Sequence, residues 1–314
     1  MTNSSDTMTD TPFEPRAAAP RAPSPTRPFY WSVRRELWEN RSLYIAPLAV
    51  AALVLVGFLI STIGMPHRRL TTLTLPADRQ AAVISQPYDM AAVALIVTMA
   101  IVSIAFCLGA LYGERRDRSI LFWKSLPVSD RIVVLSKMAV PMVVAPVIAT
   151  AIILATQLAI LLISTVLLLV NGVSPAVPLQ LFAAPVVLIY GLITMTLWYA
   201  PIYAWCLLVS GWAKRVTFLW AVLPIMALAL FEKLAFNSTH VLKLVAYRLS
   251  GGSSEAFVSK AETALRPHSI IPVEGLSQLD PGRFLSSPGL WLGLIFAGVC
   301  LAAAVWLRQR REPI

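Results

Sequence analysis

The sequence predicts an all-α membrane protein with six transmembrane helices and both termini in the cytoplasm. Three observations predict it. Of 314 residues, 57% are hydrophobic and only 13% are charged, where an ordinary soluble domain carries roughly 25% charge. The apolar residues gather into charge-free runs long enough to cross a bilayer. Lys and Arg gather on alternate connections between those runs. Two soluble domains of about 150 residues would fit the length. They could not hide this much apolar surface, at a mean hydropathy of +0.72. Charge and glycine are too scarce for a disordered or collagen-like chain.

Residues 1–28, rich in Pro, Ser, Thr and Ala, read as a disordered cytoplasmic tail. They lack the basic start and apolar stretch of a secretory signal. Residues 29–41, FYWSVRRELWENR, follow. Helical spacing sets Arg34 beside Trp38 and Val33 beside Leu37. Trp31, Arg34, Arg35 and Trp38 suit a helix lying at headgroup level; a plain extension of the first span is the alternative.

The rest of the chain, 42–314, reads as a six-span domain. Ser42–Pro66 is 25 residues without a charge, Met90–Gly113 is 24 and Met138–Ala213 is 76. At 1.5 Å per residue, about 20 residues cross a hydrocarbon core of about 30 Å. NGVSPAVPLQ (171–180) divides the longest run into two spans, near 143–170 and 181–210. Val216–Phe231 is a short run of 16, extendable to Phe236 if Glu232 and Lys233 snorkel. Phe284–Leu307 is the last, with 24.

Fourteen Lys and Arg flank the ends assigned to the cytoplasm, against Arg68, Arg69 and Arg79 in the two short outer loops. The outer segment 237–283 is polar enough to sit in water. HVLKLVAYRL within it has Leu242, Val245 and Leu249 on one stripe, and GGSS at 251–254 is expected to end that helix.

Function classes narrow quickly. The net charge of +10 does not indicate nucleic acid, because no basic–aromatic module accompanies it. Cys107, Cys206 and Cys300 each sit in an apolar run and read as buried free thiols. With His67, His240 and His268 they form no metal spacing. The spans hold no histidine, and neither G-x-S-x-G nor H-E-x-x-H occurs, which argues against an intramembrane hydrolase. No G-x-x-x-x-G-K-[ST] occurs either, so the chain has no phosphate-loop ATP site. Gln157, Thr194 and Thr196 are the deepest polar side chains, expected to bond between helices. That scarcity argues against ion-coupled transport. Pro141, Pro146, Pro185, Pro201 and Pro224 can kink their helices, as hinges or as static bends.

One segment stands apart: YGERRDRSILFWKSLPVSDRIVVLSK, from Tyr112 to Lys137. Glu114, Arg115, Arg116, Asp117 and Arg118 are packed together at the span edge, where charges are normally solvated. Ile120, Leu121, Phe122, Trp123 and Lys124 follow. Pro127 breaks the chain and Ser129 can cap a second helix from about Asp130, with Ile132, Leu135, Ala139 and Met142 at helical spacing. Phe122 and Trp123 left in water cost about 2 kcal/mol apiece by area. They should bury against the membrane interface or a partner.

This segment resembles the loop after the second span in type-two ATP-binding-cassette (ABC) export permeases. The six spans, internal termini, preceding amphipathic helix and larger outer segment also resemble that family. The resemblance covers roughly residues 29–310. It implies that 113–137 is a coupling loop seated on a separate ABC ATPase subunit. Glu114, Arg115, Arg116, Asp117, Arg118, Phe122, Trp123 and Lys124 would form or flank that contact. Trp31, Arg34, Arg35 and Trp38 would lie on the connecting helix. The chain itself would be no enzyme and hold no cofactor; ATP and Mg would sit in the partner. A second permease chain, identical or not, would complete the passage in a bacterial inner (plasma) membrane, with a hydrophobic or amphipathic substrate. A non-transporting scaffold or sensor using the same loop is the alternative reading.

Overall fold

The computed structural model describes residues 26–62, 77–117, 129–170, 180–257 and 279–310. Most of the tail at 1–28 lies outside them; its last three residues open the first helix. The described residues are helical apart from short connections and one isolated bridge, Phe257 to Leu279.

Helix α1 (Thr26–Glu39) leads into α2 (Ser42–Thr62), the first span. Asn40 turns the corner: its backbone N–H and its side-chain amide both donate to the carbonyl of Glu36, at 3.0 and 2.9 Å. α3 (Ala77–Arg116) contains the second span. α4 (Asp130–Ala139) starts at Ser129, whose side chain accepts from the N–H of Ile132 at 3.4 Å. It runs through a π-helical turn at Val140–Val144 into α5 (Ala145–Val170). Pro141 lacks the N–H that an α-helix needs there, and the wider turn absorbs the defect. The expected helix at 130 and the third span are therefore one continuous rod.

α6 (Gln180–Trp212) contains the fourth span and α7 (Thr217–Phe236) is the fifth, reaching Phe236. α8 (His240–Ala256), the short α9 (Pro281–Ser286) and α10 (Pro288–Arg310), the sixth span, complete the chain. Among the described residues, six helices are thus long and apolar enough to cross a membrane.

Span four is the central post. It packs most extensively on span six, then on span two. Span six presents a seam of small buried residues, Gly293, Ala297, Cys300 and Ala304, which repeats every three or four positions. Where hydrocarbon surrounds the helices, such a seam gains stability by close backbone approach. Trp198, on span four, is fully buried. Cys107, Cys206 and Cys300 are free and buried. Span five stands nearly bare. Ala221 is its buried residue, while Trp205 Nε1 donates to the Ala221 carbonyl at 3.1 Å. Both of its flanks are left-handed, at Val216 (φ 45°) and Asn237 (φ 48°).

Three local expectations are corrected. Thr194 and Thr196 donate to carbonyls of their own helix, Tyr190 and Leu192, rather than across helices. The buried face of α4 is Val133, Val134, Lys137 and Met138, while Leu135 is half exposed. Helix α8 continues through Gly251–Ala256 instead of ending at the glycines. The reason is space: a Cβ at Gly252 would fall 2.9 Å from Trp198 Cδ1. The glycines are the packing face, and Leu242 and Leu249 of the expected stripe are exposed. Span four holds α8 with three aromatic donors. Trp198 Nε1 donates to the Arg248 carbonyl at 3.0 Å, Tyr199 Oη to that of Leu249 at 2.8 Å, and Tyr190 Oη to that of Ala256 at 3.1 Å.

Candidate functional site

Acidic and basic side chains from four helices meet at one end of the bundle, beside the segment that the sequence marks out. Lys137, on α4, is at the centre. Its Nζ lies 2.7 Å from Glu36 Oε1 of α1 and 3.1 Å from Glu114 Oε1 of α3. Arg308, in the last turn of α10, donates from Nη1 to the other carboxylate oxygen of Glu114. Its Nε donates to Asp130 Oδ1, in the first turn of α4, at 2.8 Å. Arg115 adds the fourth span, donating to the carbonyls of Gly211 and Ala213. Glu36, Glu114, Arg115, Lys137 and Arg308 are all buried.

The local reasons are ordinary helix physics. Arg308 and Arg115 sit where a helix C-terminus favours a cation. Asp130 sits where an N-terminus favours an anion. Arg115 also satisfies carbonyls that the end of α6 leaves without intrahelical partners. Glu114 has the opposite situation, an anion at a helix C-terminus, and Lys137 and Arg308 compensate it from two sides. Three carboxylates, Glu36, Glu114 and Asp130, thus face two cations, Lys137 and Arg308, while Arg115 lies on the carbonyls. Removal of Lys137 would strand the buried Glu36.

The network ties together residues far apart in sequence. Lys137 and Glu36 are 101 positions apart, and Arg308 and Glu114 are 194 apart. It also brackets the charged and aromatic segment that the sequence marks out: Glu114 and Arg115 precede residues 118–128, and Asp130 and Lys137 follow them.

The residues singled out by sequence divide three ways. Glu114 and Arg115, expected at a solvated edge, point into the network. Arg116 and Asp117 are exposed and pair with each other at 3.0 Å. Arg118, Phe122, Trp123 and Lys124 lie outside the described residues. On α1, Trp31 and Trp38 are exposed, with the Arg34 guanidinium 5.1 and 4.6 Å from their ring centroids. Arg35 pairs with Glu39 along the same helix.

Sequence reasoning assigned no such role to Glu36, Asp130, Lys137 or Arg308. A usable signal existed for Glu36: it is an acid between Val33 and Leu37, the two residues of the apolar stripe. Among the described residues, no group of three or more His, Cys, Asp or Glu is placed to hold a metal. Comparison of the chain with protein-family models, with curated proteins and with solved structures finds no match.

Proposed function

We propose that this chain is the membrane-spanning permease subunit of an ATP-driven exporter of the ABC type. In this reading the ion network passes motion from a docked ATPase subunit into the spans. One observation carries it: both ends of the coupling segment are bound to the same buried charges, which also hold α1 and span six. A push on residues 118–128 reaches Glu114 and Arg115 on one side and Asp130 and Lys137 on the other. From there it passes to Arg308 on span six and to the end of span four.

Several features support the reading. The lack of a phosphate loop calls for a separate ATPase. The Lys and Arg distribution favours a cytoplasmic charged end and cytoplasmic termini. Trp31, Arg34 and Trp38 form an aromatic–cation face suited to the headgroup region of a plasma membrane. A hydrophobic or amphipathic substrate fits spans with so few polar groups, and a second permease chain would provide the other wall of the passage.

The test is co-purification. The full chain, tagged and expressed in its native host, should retain an ATPase subunit with a phosphate loop. Trp123→Ala with Arg116→Ala should lose that subunit while the chain still inserts and elutes normally. If no ATPase co-purifies with the unaltered chain, the reading fails.

A further inference from the structure

Arg248 lies towards the other end of span six from the ion network, and no carboxylate pairs with it among the described residues. Its guanidinium carbon stands 4.6 Å from the Trp198 ring centroid. Nη2 donates to the Gly289 carbonyl at 3.2 Å. Nη1 is buried and has no hydrogen-bond partner. The side chain as a whole keeps part of its surface open, and burial pulls its pKa below the ordinary guanidinium value.

The surroundings are shaped to admit this one side chain. A Cβ at Gly293 would fall 1.4 Å from Arg248 Nη2, so span six gives up a side chain where the guanidinium lies. A Cβ at Gly289 would fall 2.8 Å from Tyr247 Oη, next to it. Trp198 belongs to span four (Pro185–Trp212) and is fully buried, so the guanidinium lies against the packed bundle. A buried guanidinium nitrogen without an acceptor is costly and marks a place where an acceptor can bind. A guanidinium offers paired donors in a fixed fork, matched to two oxygens of a phosphate or carboxylate. Beside the cradle, Trp291, Leu292 and Ile295 of span six are exposed and apolar.

We propose that Arg248, cradled by Gly289, Gly293 and Trp198, receives the anionic headgroup of an amphipathic molecule whose apolar chain lies over the exposed side chains of span six. The headgroup is a phosphate or carboxylate and accepts from the guanidinium. A bilayer lipid and a free amphiphile share this chemistry. The site stands whether or not the chain is a transporter, since it needs neither ATP nor a partner.

The experiment uses the full purified chain in a neutral maltoside detergent. Three probes are titrated: dodecyl phosphate, dodecanol and inorganic phosphate. Dodecyl phosphate should bind saturably and about tenfold or more tighter than dodecanol, with inorganic phosphate weakest. Arg248→Gln should remove that preference. Gly293→Ala, which keeps the charge but pushes the fork from its cradle, should weaken dodecyl phosphate binding without altering dodecanol binding. Competition by phosphatidylglycerol assigns the site to bilayer lipid; failure to compete assigns it to a smaller amphiphile, and either supports the site. Equal binding of dodecyl phosphate and dodecanol by the unaltered chain overturns the proposal. So does an unchanged preference in Arg248→Gln. Should that variant not fold, the unaltered chain and Gly293→Ala decide the matter alone.

Discussion

Lys137 Nζ lies 2.7 Å from Glu36 Oε1, and the two side chains are only 2% and 4% exposed. A pair this deep is worth little compared with an apolar pair of the same shape, yet it is costly to break. The expected signature is therefore strong non-additivity. Lys137→Met leaves Glu36 without its cation and takes a cation from Glu114, and should destabilise the chain by about 3–5 kcal/mol. Glu36→Gln should cost less, because Lys137 keeps Glu114. The double variant should recover part of the Lys137→Met loss, with a coupling of about 1 kcal/mol or more. Reversible unfolding in mixed micelles of the four proteins checks this. Strict additivity would show that the pair does not interact.

The seam between spans four and six gives a second prediction. Ala304 is fully buried in it, and Ala297 nearly so. Ala304→Leu inserts a branched side chain where two backbones approach closely. Overpacking of this kind costs about 1–3 kcal/mol. Ala297→Gly, which opens rather than crowds the seam, should cost about 1 kcal/mol through helix propensity and the small gap left behind. The same unfolding assay separates the two; a Leu at 304 tolerated as well as Gly at 297 would mean that the seam is loose.

How far the sequence reveals this structure depends on the range of the interaction. The spans are legible because a charge-free run is a local property, and Val216–Phe236 could be extended from the snorkelling of Glu232 and Lys233. The Ser129 cap is legible because its bond spans three residues. The buried face of α4 is not. Lys137 goes inward to carboxylates on α1 and α3, and a pattern counted on apolar residues places Leu135 inside instead. Glycines 251 and 252 read as helix breakers until Trp198, some 50 residues earlier, is seen to need their missing side chains. The ion network is least legible of all, since Arg308 meets Glu114 across 194 residues. Phe122 and Trp123, the most conspicuous residues of the segment Tyr112–Lys137, lie outside the described part of the chain.

Val216 yields a third prediction. It is β-branched and left-handed, at φ 45°, just before the nearly bare span five. A residue of this type in that region costs on the order of 1–3 kcal/mol. Val216→Gly removes the clash and should stabilise the chain by about 1 kcal/mol, after the larger backbone entropy of glycine is set against the relief. Asn237→Gly, at φ 48°, should be nearly neutral, because asparagine already tolerates that conformation. A destabilised Val216→Gly, measured by thermal unfolding, would show that the left-handed turn carries no strain.

Arg308 offers the sharpest test of the proposed coupling. It is the residue by which span six holds both flanks of the coupling segment, through Glu114 before it and Asp130 after it. It does not lie in 113–137, so docking of an ATPase subunit should not depend on it. Arg308→Gln keeps a long polar side chain but removes the charge that the two carboxylates share. The expected result is an assembly that still co-purifies its ATPase, while substrate no longer stimulates hydrolysis. Stability should fall at the same time, by about 3 kcal/mol, because Glu114 and Asp130 are left short of positive charge. Stability loss alone cannot account for that split, since an unfolded chain would lose docking and stimulation together. Arg308→Lys keeps the charge without the fork, and should restore part of the stimulation. If Arg308→Gln loses the ATPase subunit outright while remaining folded, the network acts in docking and not in transmission.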